Sequence, residues 1–305
     1  MSKIKKYNII MKIFVMILLL ALVFDYNLMG AYALNFDVPD KTYLISKTDK
    51  RIAPGITESE IITNDESGNN QNIDYACEID LSKDSKTKII SGYGNYIPDT
   101  WRMDTVSNQA KAAEKAKGYN VVAGINADFY NMSTGQPAGA LVMDGKVYQG
   151  TNGRPYFAIL KDGTAAIREG NVSLDDVESA VSGDLVIVNN HKICNIDNNN
   201  TYQNIKYSRS AIGIKDDGTV VTFVTHGMSN PTSCGRTYKE VAEMMIGMGC
   251  KTVLNLDGGG SATYCSKYEG SNDFLCRNNP SDGNERKISS SLLVVSTAKA
   301  TGEFD

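Results

Sequence analysis

Thr252-Val253-Leu254-Asn255-Leu256-Asp257-Gly258-Gly259-Gly260-Ser261-Ala262-Thr263 reads as a buried strand that delivers one carboxylate to a glycine loop. Leu254 and Leu256 alternate with polar neighbours, the period of a strand. Three glycines in a row permit a backbone shape that residues with a Cβ do not share. Such a loop can turn consecutive N–H groups toward one point, as an anion-binding nest does. Taken alone, Gly-Gly-Gly is equally a plain tight turn.

The best helix lies just before this stretch. Thr237 and Glu240 have the spacing of a capping box, and Val241, Met244, Met245 and Met248 fall on one face, as core positions do. Gly249 supplies the stop. Helix, glycine, strand and glycine loop place Asp257 at a strand's C-terminal end, where α/β architectures put ligands. A second helix is expected over Thr105 to Lys117, capped by Asp104 and ended by Gly118. Strands are expected at Ile73 to Leu81, Tyr119 to Asn126 and Ile288 to Ser296, with hairpins turning at Asp144-Gly145, Asp162-Gly163 and Asp217-Gly218. Residues 34–75 read as a polar lead-in with short strands and a mobile loop, and 76–300 as the main domain. The fold class expected is α+β, or mixed α/β: one domain with a largely antiparallel or mixed sheet flanked by helices.

Lys3, Lys5, Lys6 and Lys12 precede the apolar run Ile13 to Phe24, and Ala31-Tyr32-Ala33 offers a small-x-small cleavage site. Residues 1–33 therefore read as an export signal, cleaved or retained as an anchor, which places the remainder outside the cytoplasm. Losing four lysines and Asp25 takes the net charge from −4 to −7, an acidic balance that disfavours nucleic acid as a partner. Any anionic substrate must then meet a local group of arginines. Six cysteines, at 77, 194, 234, 250, 265 and 276, are too few for a disulfide-built scaffold of this size. Cys265 and Cys276 flank a polar excursion and are the expected disulfide. With His191 and His226 as the whole histidine complement and no calcium-loop spacing, no metal and no cofactor is expected.

Single residues are ambiguous one at a time. Asp128, between a strand and two aromatics, either caps a turn or does chemistry. Arg209, before the apolar segment Ala211 to Ile214, is an edge-strand charge or an anion ligand, and Arg286 stands in the same position after Asn279-Pro280-Ser281-Asp282-Gly283. His226, ending a Val-Val-Thr-Phe-Val-Thr strand, is a core histidine or a proton donor.

Together these segments resemble one family. Asn126-Ala127-Asp128-Phe129-Tyr130, Gly135-Gln136-Pro137-Ala138-Gly139 and Asp144-Gly145 are similar to the front motif of the phosphodiester glycosidases. Ser208-Arg209-Ser210-Ala211-Ile212-Gly213, the Asn255 to Thr263 string, and Asn279 to Gly283 with Arg286 resemble the back motifs, over roughly 52–295 and in the same order. The resemblance implies hydrolysis of the bond between a sugar's anomeric carbon and phosphate. Asp257 and Asp128 would then stabilise the oxocarbenium-like centre or activate water, with Asn126 and Ser261 orienting substrate or water. Arg209, Arg286 and the Gly258, Gly259 and Gly260 backbone would hold the phosphate. The chain departs from the family pattern where relatives carry a smaller residue near Asp128, and an acidic residue where His226 precedes Gly227; His226 is then a variant acid or phosphate contact.

The expected function is an extracytoplasmic glycosidase acting on a glycosyl phosphodiester of an envelope or extracellular glycan. Its partners would be a glycosyl phosphate or exopolysaccharide, with membrane contact through an uncleaved N-terminal segment alone. Two rival readings are a phosphodiesterase that breaks the P–O bond and a non-catalytic glycan-binding protein.

Overall fold

The computed structural model describes residues 33–96, 98–171, 173–228, 233–268 and 271–298. The export signal expected over 1–33 lies, but for Ala33, outside them. Among the described residues eighteen strands run in chain order as β1 (Thr42–Ala53), β2 (Ile56–Asp65), β3 (Gln71–Ile79), β4 (Thr87–Tyr93), β5 (Asn120–Asn126), β6 (Leu141–Met143), β7 (Lys146–Gln149), β8 (Tyr156–Leu160), β9 (Ala165–Arg168), β10 (Val177–Ser182), β11 (Leu185–Asn189), β12 (Lys192–Ile193), β13 (Ser210–Lys215), β14 (Val220–Thr225), β15 (Cys250–Asn255), β16 (Tyr264–Ser266), β17 (Leu275–Cys276) and β18 (Ser290–Ser296). Three α-helices accompany them among the described residues: α1 (Val106–Lys117), α2 (Thr201–Asn204) and α3 (Tyr238–Gly247). The molecule is therefore mostly β.

The strands form three sheets, ordered β1-β2-β3-β14-β13-β15-β11-β12, β7-β6-β10-β8-β9 and β17-β16-β5-β18-β4. Every pairing between these strands is antiparallel, so of the two expected arrangements, largely antiparallel or mixed, the described strands take the antiparallel one. The physical reason is local: β15 follows α3 but inserts between β13 and β11, antiparallel to both, and the three Asp-Gly steps each close a hairpin.

Alternation in the sequence is read out by the eight-stranded sheet, which is covered on both faces at its centre. On β14, Val220 and Val224 face the core shared with the other two sheets, whereas Val221 and Phe223 face α3. Ile212 and Leu254 join the first set, Ala211 and Val253 the second. Thr237 and Glu240 make the expected capping box, and Val241, Met244, Met245 and Met248 are buried in the layer between α3 and the sheet. Burial of each such side chain is worth roughly 1.5–3 kcal/mol, which is how a ten-residue helix is held in place.

Two local expectations are corrected. The α1 cap is Thr105, whose hydroxyl accepts from the Asn108 N–H; Asp104 sits one residue too early and pairs instead with Ile288. The polar lead-in is a long hairpin, β1 and β2, turned at Gly55 in the left-handed region. The outer strand β1 is largely exposed, so ladder hydrogen bonds rather than an apolar face hold it.

Candidate active site

The site lies where β5 and β18 of one sheet meet the ends of β13 and β15 of another. The main chain of Asn126 bonds Thr263 and that of Ala127 bonds Ser290, while the Asp257 N–H donates to the Ala127 carbonyl at 2.9 Å and the Leu256 N–H to Ser210. Asn126 closes the junction with its side chain. Its amide N–H donates to the Asp257 carbonyl at 2.7 Å, and its oxygen accepts from the Ser210 hydroxyl and the Thr263 N–H. The two sequence motifs thus meet through one buried amide, bonded at both its nitrogen and its oxygen.

The loop after Asp257 is a short 3-10 turn over Gly259–Ser261. Gly259 has a left-handed φ of 61° and packs against the Tyr207 ring, and Gly260 lies directly against the Arg286 guanidinium and Asp282, where a Cβ has no room. The N–H groups of the loop serve mainly the loop itself. Gly258 donates to Asp257 Oδ1 at 2.8 Å, Gly259 to the Ser208 carbonyl, and Ser261 to Gly258. The backbone therefore presses one carboxylate into a fixed pose rather than presenting a row of free donors.

Asp257 is part-exposed and Asp128 is closed off at 1% exposure. Burial lifts the Asp257 carboxyl to about 6, against the Ser261 hydroxyl, the Gly258 N–H and the Arg286 charge, with Asp184 pushing the same way as burial. Burial lifts Asp128 to about 7, against Arg154 and the N–H groups of Gly139 and Phe129, and Asp257 adds to the rise. Gly139 donates to Asp128 Oδ2 at 2.7 Å, whereas Oδ1 is buried without a hydrogen bond. Two carboxyls titrating near neutrality in one site suit acid–base work.

Three further residues complete the surroundings. Arg154 Nη2 lies 3.6 Å from Asp128 Oδ1 and 4.0 Å from Asp184 Oδ1, and the Tyr238 hydroxyl donates to Asp184 Oδ2 at 2.8 Å. No motif marks Arg154 or Asp184 in the sequence. The available hint is positional: each follows a glycine and abuts an apolar strand, β8 or β11, as loop residues aimed at a site often do.

Arg209 and Arg286 occupy different settings. Arg209 is 1% exposed, donates to the carbonyls of Arg236, Tyr202 and Ile205, and lies among the Tyr202, Tyr207 and Tyr238 rings. Its Nη1 is buried without a hydrogen bond, and desolvation lowers its pKa. Arg286 makes a two-pronged pair with Asp282, at 2.7 and 3.0 Å, beside Gly260. His226 faces elsewhere: its ring stacks on Tyr75 and its charge neighbours are Asp74 and Glu60, so the structure does not bring it to Asp128 or Asp257. Burial lowers its pKa. Among the described residues, no group of three or more His, Cys, Asp or Glu side chains converges as a metal site.

The profile of the phosphodiester glycosidase family matches residues 119–295. The chain belongs to that family. The matched region contains the junction at Asn126, the carboxyls of Asp128 and Asp257, and all three site arginines. Among curated proteins, the N-acetylglucosamine-1-phosphodiester alpha-N-acetylglucosaminidase of Mus musculus is 29% identical over 161 residues, 46% of this chain and 30% of its own length. An SPbeta prophage-derived uncharacterized protein of Bacillus subtilis (strain 168) is 36% identical over 91 residues, 30% of this chain and 13% of its own. The chain thus spans under a third of either relative. Among solved structures, the zebrafish N-acetylglucosamine-1-phosphodiester alpha-N-acetylglucosaminidase catalytic domain, auto-inhibited by its pro-peptide, superposes with a TM-score of 0.59 at 21% identity. That match covers 82% of this chain and 88% of the zebrafish one, a likeness of fold.

Proposed function

We propose that this chain hydrolyses the bond between a sugar's anomeric carbon and a phosphate oxygen in a glycosyl phosphodiester, releasing free sugar and a phosphomonoester. The observation that carries the reading is the pairing of a part-open carboxyl, Asp257, with an enclosed one, Asp128, both held near neutral pKa and flanked by Arg154 and Arg286. Above about 6 Asp257 is ionised and faces the anomeric carbon, where positive charge develops as the bond to phosphate breaks. Below about 7 Asp128 holds a proton for the departing phosphate oxygen. A phosphate is already a good leaving group, so charge stabilisation carries more of the barrier than proton transfer. Arg286 opposes phosphate charge beside Gly260. Asn126 acts through Asp257, fixing its main chain, and Arg209 supports the loop from behind.

The substrate class is a glycosyl phosphodiester of an envelope or extracellular glycan, met outside the cytoplasm, the basic and apolar N-terminal segment being the export signal and 76–300 the catalytic unit. No helix among the described residues is long and apolar enough to cross a membrane.

Hydrolysis of a sugar-1-phosphodiester in isotopically labelled water tests the reading. Label on the C1 hydroxyl is expected. Label on phosphate identifies P–O scission instead, and saturable binding with no product after long incubation identifies a glycan-binding protein.

A further inference from the structure

We propose that Arg154 is the mobile anion ligand of the site, taking the phosphoryl oxygens of the substrate and releasing Asp128 as it does so, an inference that rests on the glycosyl-phosphate reading. Arg154 stands between two carboxylates without being committed to either, at 3.6 Å from Asp128 and 4.0 Å from Asp184. Its Nε and Nη2 are buried with no hydrogen bond, as is the Asp128 Oδ1 that faces it. An arginine in a settled ion pair makes charge-assisted bonds at 2.7–2.9 Å; Arg168 with Asp176, at 2.8 and 2.6 Å, shows that form in this same chain. Arg154 has donors to offer, and its side chain is 25% exposed while Asp128 behind it is closed to solvent. An anion entering from solvent therefore meets Arg154 before Asp128.

The backbone beneath this side chain is pinned. The Arg154 N–H donates to Thr151, Asn171 accepts from the Thr151 hydroxyl and the Gly153 N–H, Asn152 donates to Ala138, and Gly183 donates to Pro155. Asn152 and Gly153 take left-handed φ values of 51° and 76°. A fixed pivot and an unbonded guanidinium, over the Phe129 ring at 5.4 Å, allow a change of rotamer without a change of loop. Arg286, by contrast, is held in place by its two-pronged bond to Asp282, and Arg209 is fastened to three carbonyls, so neither is free to move to an entering anion.

The charged groups involved are few. Arg154 faces Asp128 and Asp184, and Asp128 faces Arg154 and Asp257. While Asp128 is ionised it competes with an anion for Arg154; once Arg154 turns to the anion, Asp128 loses the charge that opposed its protonation and takes a proton from solvent. Anion affinity should then fall as pH rises through the titration of Asp128.

Sulfate, which does not titrate in this range, is the probe, and its dissociation constant is read from the concentration dependence of thermal stabilisation. Wild type is expected to bind sulfate, with affinity falling from about pH 5 to about pH 8. Arg154→Gln should weaken binding roughly tenfold or more, Arg154→Lys should restore part of it, and Asp128→Asn should flatten the pH dependence. Absence of sulfate binding in wild type, unchanged affinity in Arg154→Gln, or an undiminished pH dependence in Asp128→Asn overturns the proposal. None of these readouts requires turnover, so the glycosidase reading stands or falls separately on the labelled-water experiment.

Discussion

The side-chain amide of Asn126 donates to the main-chain carbonyl of Asp257 at 2.7 Å, so the residue that opens one sequence motif holds the backbone of the carboxylate-bearing residue of another. With Ser210 and Thr263 also bonded to its oxygen, Asn126 is the fastening of two sheets at the site. Asn126→Ala leaves three buried groups unpaired, at about 1–3 kcal/mol each before relaxation. A lower urea midpoint together with a lower kcat is expected; a variant with wild-type kcat would show that Asp257 keeps its pose unaided.

Asp257→Asn keeps shape and removes charge. Turnover of a sugar-1-phosphodiester should drop by about two to four orders of magnitude, with the thermal midpoint near that of wild type. Near-normal turnover by a folded variant assigns the chemistry to another group.

The pH profile of kcat/KM should be bell-shaped and narrow. Its acid limb follows ionisation of Asp257 near about 6 and its basic limb deprotonation of Asp128 near about 7. Two groups this close are read as one coupled pair, and a plateau running from pH 5 to pH 9, on the order of the ordinary carboxylate-to-lysine gap, contradicts the assignment.

Stability carries the same signature with its own sign. Asp128 rises from 3.8 to about 7 on folding, so the folded state holds its proton longer than the unfolded state does, and stability drains away as pH climbs between those values. Asp128→Asn should gain thermal midpoint relative to wild type as pH is raised through that window, and show little advantage below it. An equal difference at every pH would mean that folding does not shift the Asp128 pKa.

Cys265 and Cys276, the pair expected from the sequence to form a disulfide, stand opposite each other on β16 and β17 but are free thiols in the structure. Alkylation without reductant is expected to label both positions, and an intact mass short by two hydrogens that reduction restores would show a bridge instead.

Much of the local structure is legible along the chain because its causes are local. The Thr237–Glu240 box, Gly118 and Gly249 as helix stops, and the Asp-Gly hairpins each depend on residues a few positions apart, and the core face of Val241, Met244, Met245 and Met248 on helical period alone. The length of β1 is not legible because it has no regular apolar face for periodicity to report. Asp104 and Thr105 are both residue types that cap helices, and only the backbone angles distinguish them.

The motifs around Asn126, Asp257 and Arg286, read by themselves, determined the family and the carboxylate-bearing glycine loop, since those depend on contiguous residues. Tertiary structure alone decided which charges meet. It turned His226 toward Tyr75, buried Arg209 among tyrosines, joined Asn126 to Asp257, and set Arg154 and Asp184, from loops 30 residues apart in the chain, around the carboxyls. The reason is physical: distance and desolvation set the strength of an electrostatic interaction, and both are properties of strand pairing and packing, which no local pattern of residues records.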